Sequence, residues 1–169
     1  ALAKRLAAPV FGSSWPAHIP FPTSHPLWAG NLPTKSTEIA ERLKDADCVF
    51  ALGGKSFITI LYTEGSALPK NCALFQMSVD GSDLGRTYPS KLSVVGDIQK
   101  SLSVLNALLS ERLAGKAKAF SDLRDKAVAA QRARREQLSL TANALFENAS
   151  IHPLVAAQQV VRAIGPDIA

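Results

Sequence analysis

Asp45-Ala-Asp47-Cys-Val-Phe-Ala-Leu52-Gly53-Gly54 decides the fold of this chain. The run from Cys48 to Leu52 is continuously apolar and stops at a glycine pair. A run that is apolar on both faces suits a central strand of a parallel sheet, covered by helices on either side. Working outward, Cys72-Ala-Leu-Phe-Gln-Met-Ser-Val79 reads as the next strand and ends at Asp80-Gly81. Leu92-Ser-Val-Val95 reads as a last short strand ending at Gly96-Asp97, and Pro9-Val-Phe11 as a short buried strand closed by Gly12-Ser-Ser.

Helical segments alternate with these strands. Residues 1–7 read as the end of a helix, and Thr34 as the N-cap of a helix through Lys44, with Ile39, Ala40 and Leu43 on one face. Lys55 to Lys70 is open between two readings, because Phe57-Ile-Thr-Ile-Leu-Tyr62 suits a strand or a short helix. Ser82 to Tyr88 reads as one helical turn stopped by Pro89. Asp97 is placed to cap a helix running to about Leu113, with Ile98, Leu102, Leu105 and Leu109 as its buried stripe. Apolar strands ending in Gly or Asp, alternating with helices, predict an α/β fold: a three-layer parallel sheet with right-handed crossovers.

The pattern changes at Gly115. Residues 116–147 form an alanine-rich polar helix with a thin apolar stripe of Phe120, Leu123, Ala127 and Leu138. Ser150-Ile-His-Pro153 opens a further amphipathic helix through Ile164, closed by Gly165-Pro166. The expected division is an α/β domain over 1–114, a connecting helix over 115–149, and the first helix of another domain over 150–169.

The 169 residues suit one ordinary domain with attached helices, and 47% hydrophobic content argues for a real core rather than disorder. No apolar run approaches the roughly 20 residues that a membrane span needs, so no membrane contact is expected. The opening residues lack a secretory pattern and read as the middle of a helix. Cys48 and Cys72 are expected as two reduced core thiols of a cytoplasmic protein. The net charge of +5 concentrates between Arg112 and Arg135. Aromatic interleaving is absent there, and Glu111, Asp122, Asp125 and Glu136 interrupt the run. A solvated helix face is expected rather than a nucleic-acid surface.

Ile19-Pro-Phe-Pro-Thr-Ser-His25-Pro26-Leu-Trp-Ala-Gly30 is a costly loop, with Pro20, Pro22 and Pro26 each fixing φ and removing a donor. It resembles the F-P-T-S-H-P-L-x-x-G loop in the central domain of thiamine-diphosphate-dependent enzymes, especially the benzoylformate decarboxylase and acetolactate synthase group. Leu6-Ala-Ala-Pro9-Val resembles that family's helix-to-strand entry, and Asp45 to Gly53 its aspartate-led strand. Val79-Asp80 with Leu84-Gly85-Arg86, and Val95-Gly96-Asp97-Ile98 with its leucine-rich helix, continue the similarity. Ile151-His152-Pro153 looks like the start of the family's C-terminal, diphosphate-binding domain. The resemblance implies a Rossmann-like domain (the DHS-like NAD/FAD-binding type) in a fragment lacking an early strand, with N- and C-terminal domains as its missing partners.

Thiamine diphosphate and Mg would then belong to the parent enzyme, a 2-keto acid decarboxylase or carboligase, and not to this fragment, which is expected to be catalytically inert. Gly96-Asp97-Ile98 matches only the start of the family's Gly-Asp-Gly metal motif, and Asp97 reads as a helix cap. Gly53, Gly54 and Asp80 mark a crevice where related enzymes hold FAD or ADP, and which the benzoylformate decarboxylase branch resembled here generally leaves empty. Backbone can approach a phosphate at the glycines, and a carboxylate could accept from ribose hydroxyls. Without G-x-G-x-x-G, a strand-ending turn and a capping aspartate explain the same residues. His18, His25 and His152 share no metal-ligand spacing, and His25 could fix the loop with a hydrogen bond. A stand-alone FAD- or ADP-type nucleotide-binding module is the alternative. The apolar stripe of helix 151–164 (Ile151, Leu154, Val155, Val161, Ile164) and an open sheet edge predict a homo-oligomer.

Overall fold

The computed structural model describes residues 1–17, 20–60, 62–147 and 150–165. Five strands are present among the described residues: β1 (Val10–Gly12), β2 (Trp28–Asn31), β3 (Cys48–Leu52), β4 (Ala73–Ser78) and β5 (Leu92–Val95). Five α-helices accompany them: α1 (Leu2–Leu6), α2 (Ser36–Arg42), α3 (Ile98–Arg112), α4 (Ala117–Ala144) and α5 (Pro153–Ile164). Every strand pairing is parallel, so the α/β class and the helical C-terminal part stand as expected. The strands divide between two sheets, β1-β2 and β3-β4-β5.

That division corrects the reading of β3. It pairs only with β4 among the described residues and lies at the edge of its sheet, so β4 is the central strand. Of its five residues only Ala51 is buried, while Cys48 and Leu52 are exposed. The cysteines part company: Cys48 is exposed at the start of β3, whereas Cys72 is half-buried just before β4 and packs against the core. Partial burial, then the Asp47 carboxylate, pushes both thiols above their ordinary pKa.

The core lies under α2. Ile39, fully buried, and Leu43 pack with Leu32, Ala51, Leu74, Ala67 and Leu68. This is the face anticipated for that helix, but its start is built differently. Lys35, not Thr34, occupies the N-cap position, and no side chain caps the helix there. Ser36 reaches across instead: its amide donates to Thr63 Oγ1 at 3.0 Å, and its hydroxyl bonds both the Thr63 carbonyl and Oγ1. The ambiguous segment around it is neither strand nor helix over 55–60 and at Tyr62; Leu61 lies outside the described residues.

Asp97 caps α3 as expected, its Oδ1 accepting from the Lys100 amide at 2.8 Å. Ile98, Leu102, Leu105 and Leu109 form the half-buried stripe of that helix, with Val104 and Leu108 exposed. On α4 the expected stripe is partly wrong. Leu123 and Leu138 are exposed, whereas Ala142 is buried under α5 alongside Val155. The α4–α5 pair is tied by Gln158 Nε2 donating to Ser139 Oγ at 3.1 Å, which leaves Ile151, Val161 and Ile164 exposed.

The proline loop ends in a strand that its sequence hid. Leu27 and Ala29 are buried, the Val10 amide donates to the Leu27 carbonyl at 2.8 Å, and β2 runs parallel to β1. Gly30 supplies the positive φ of 85° that this strand needs. His25 fixes the loop as anticipated: its Nδ1 accepts from the Leu27 amide at 3.0 Å, and its ring packs edge-on against Phe21. His18 and Ile19 lie outside the described residues.

Candidate functional site

Parallel strands leave their carboxyl ends open on one side of a sheet, and ligands of open α/β folds bind there. Here β3 ends in Gly53, whose φ of 83° turns the chain, followed by Lys55 at a φ of 54°. The Ser56 hydroxyl donates to the Gly53 carbonyl and holds the turn. Two residues beyond β4, Asp80 caps the short 3₁₀ turn Gly81–Asp83 by accepting from the Ser82 amide at 2.9 Å. That bond holds the exposed Asp80 carboxyl below the ordinary carboxylate range. Of the turn anticipated over 82–88, only this short piece forms.

Between these strand ends lies an open crevice of about 300 Å³, lined by Lys55, Ser56, Phe57, Ile58, Thr59, Gln76, Asp83, Arg86, Thr87 and Tyr88. Gly53, Gly54 and Asp80 border the same end of the sheet but are not among its lining residues. Gly54 is close to it, because a Cβ there would collide with the Asp83 carboxylate. A carboxylate thus sits where a phosphate would approach the Gly54 backbone. Arg86 lies 3.9 Å from Asp83, and the Gly85 amide donates to Gln76 Oε1 at 2.7 Å, which closes the far wall. Phe57 and Tyr88 pack edge to face at 5.6 Å.

Lys55, Gln76, Arg86 and Tyr88 are the lining groups that sequence reasoning missed. Arg86 alone carried a signal, in Leu84-Gly85-Arg86; Lys55 comes from the irregular 55–60 segment, Gln76 from β4 and Tyr88 from the loop before β5. The arrangement can take a polar ligand bearing both an anionic and a hydrogen-bonding part. It offers no donor set for a metal: among the described residues no three His, Cys, Asp or Glu side chains converge. Asp97 is engaged at its helix end, and His152 caps α5, its Nδ1 accepting from the Leu154 amide at 3.1 Å. No helix among the described residues is long and apolar enough to cross a membrane.

Comparison with known proteins places the chain among relatives. The chain is 37% identical over 109 residues to a sulfoacetaldehyde acetyltransferase of Castellaniella defragrans, covering 63% of this chain and 18% of that enzyme. It is 30% identical over 104 residues to a benzoylformate decarboxylase of Pseudomonas aeruginosa, covering 62% of this chain and 20% of the enzyme. Among solved structures, the thiamine diphosphate-dependent 4-hydroxybenzoylformate decarboxylase of Rhodococcus jostii superposes with a TM-score of 0.59 at 29% identity, over 64% of this chain and 20% of that one. The chain thus spans about a fifth of the length of these relatives. Residues 1–107 match the family described as "Thiamine pyrophosphate enzyme, central domain". With parallel strands, a strand-end crevice and that match over most of its length, the chain belongs to the central-domain family of thiamine-pyrophosphate enzymes.

Proposed function

We propose that this chain serves as the central domain of a thiamine-diphosphate- and Mg-dependent 2-keto acid decarboxylase or carboligase, spacing the domains that bind the cofactor. The observation that carries this is the family match over residues 1–107, in a chain whose matched part covers about a fifth of its relatives. The relatives include both a decarboxylase and an acetyltransferase, so both reaction types stay open. In this enzyme class the cofactor supplies the carbanion-stabilising chemistry. This chain's contribution is architectural, in a cytoplasmic enzyme, and the chain alone is inert. Calorimetric titration with thiamine diphosphate and Mg is expected to give no micromolar binding. Micromolar binding would show that the domain boundaries are misplaced.

A nucleotide module is the second reading, favoured by the crevice and its Lys55 and Arg86 cations. Against it stands the Asp83 carboxylate packed on Gly54. Asp80→Ala is expected to cost little stability from the lost cap, with no change in response to FAD or ADP. Thermal melts with and without each nucleotide decide this. A ligand-dependent rise in the unmodified chain that disappears in the variant establishes a ribose site.

Assembly follows from the exposed apolar residues Val160, Val161 and Ile164 of α5 and Ile151 just before it, together with the edge of β3 that is unpaired among the described residues. A self-associating chain covers such surfaces. Light scattering is expected to give a dimer or larger species for the full chain and a smaller one for a chain ending at Glu147. A monodisperse monomer of the full chain rules this out.

A further inference from the structure

Away from the crevice, α1, the end of α3 and the first turns of α4 surround an open cavity of about 230 Å³. Lys4, Arg5 and Arg124 face it, together with the hydroxyl residues Ser110 and Ser121, and none of its lining residues is acidic. Two of the cations are held in place by neutral partners. Arg5 Nε donates to Asn106 Oδ1 at 3.0 Å, and Arg124 Nη2 donates to Ser121 Oγ at 3.0 Å. Arg124 has one distant carboxylate neighbour, the exposed Asp125 at 3.9 Å. Among the described residues neither Lys4 nor Arg5 has an ion-pair partner.

Three positive charges around one space with no acidic lining residue raise the local potential and attract an anion. We propose that this cavity binds a phosphorylated small molecule through its phosphate or diphosphate group. Guanidinium groups present paired N–H donors matched to phosphate oxygens, which favours a phosphoanion over a single carboxylate. Positioning the forks through Asn106 and Ser121 lowers the ordering cost of engaging the ligand. The cavity is several times a water's share of liquid volume, about 30 Å³. A second phosphoryl group or a short organic part fits beside Phe120 and Leu113. Because α4 leads out of the α/β part, an anion here ties α1 to the connecting helix. This site is independent of the proposed architectural role and of the strand-end crevice.

The test is calorimetric titration of the full chain with inorganic pyrophosphate at a fixed ionic strength of about 0.15 M, where long-range attraction is screened. Orthophosphate and ADP are run in parallel. Pyrophosphate is expected to bind, and Lys4→Gln with Arg124→Gln to weaken it at least about tenfold, equivalent to about 1.4 kcal/mol. Lys55→Gln with Arg86→Gln in the crevice should leave it unchanged. Tighter binding of ADP than of pyrophosphate identifies a nucleotide as the source, and the reverse a free phosphoanion. Absence of pyrophosphate binding, or a loss in the crevice variant alone, overturns the proposal. Should the first variant fail to fold, amide shifts in the unmodified chain replace it. Pyrophosphate should then move Arg5, Ser121 and Arg124, and shifts confined to residues 55–59 and 86–88 overturn the assignment.

Discussion

Ile39→Ala is expected to destabilise the chain by about 3 kcal/mol, within the roughly 2–5 kcal/mol range for truncating a buried aliphatic side chain. Ile39 is fully buried at the middle of α2. Its neighbours come from separate parts of the chain: Leu32 after β2, Ala51 in β3, Leu74 in β4, and Ala67 and Leu68 in the loop between those strands. Because these contacts are spread over several elements, the site cannot collapse by moving one of them, and the cavity term remains. Urea melts followed by far-UV circular dichroism measure it. A loss below about 1 kcal/mol would mean that α2 is not seated on the sheet as described.

Arg134→Ala carries the second largest expected effect, about 2 kcal/mol, the scale of a hydrogen bond to a charged group. Its guanidinium, on the half-buried face of α4, donates to the carbonyl of buried Ala29 in β2. Burial first, and then the Arg42 charge, draws its pKa down from the ordinary arginine value. Truncation leaves that carbonyl without this donor. The adjacent Arg135 grips the same loop, donating to the Thr23 and His25 carbonyls at 3.1 and 3.0 Å, but from an exposed position. Exposed charge contacts contribute about 1 kcal/mol or less, so Arg135→Ala should have the smaller effect. Urea melts should rank the two variants in that order, and limited proteolysis should cut the 20–27 segment faster in Arg134→Ala. Equal stability of Arg134→Ala and the unmodified chain would remove α4 as the clamp on the proline loop.

These arginines show where sequence reasoning stops. The run from Arg112 to Arg135 read as a solvated helix face, and for Arg132 and Arg135 exposure agrees. Arg134 belongs to the same run but faces inward. Its partner lies 105 residues away, and no local pattern announces such a pairing. The β2 strand was hidden for a related reason. Trp28–Asn31 has no alternation, and its pairing depends on parallel contact with β1 across the proline loop. The Ser36–Thr63 bonds that replaced the expected Thr34 cap also join distant segments.

The sequence by itself determined the α/β class, the positions of β1, β3, β4 and β5, the cap and stripe of α3, the inner face of α2 and the family. Each of those is written in local terms: apolar runs ended by Gly or Asp, an aspartate before a helix, and apolar residues at helical spacing. Tertiary structure alone decided that β4 rather than β3 is central, that the strands divide between two sheets, and that Cys48 is exposed while Cys72 packs at the edge of the core. It also placed Asp83 against Gly54 and gathered Lys4, Arg5 and Arg124 around one cavity. The physical reason is common to all of these. An apolar run records that a strand can be buried on both faces, but burial depends on which neighbours arrive at its edges, and that is a property of non-local packing.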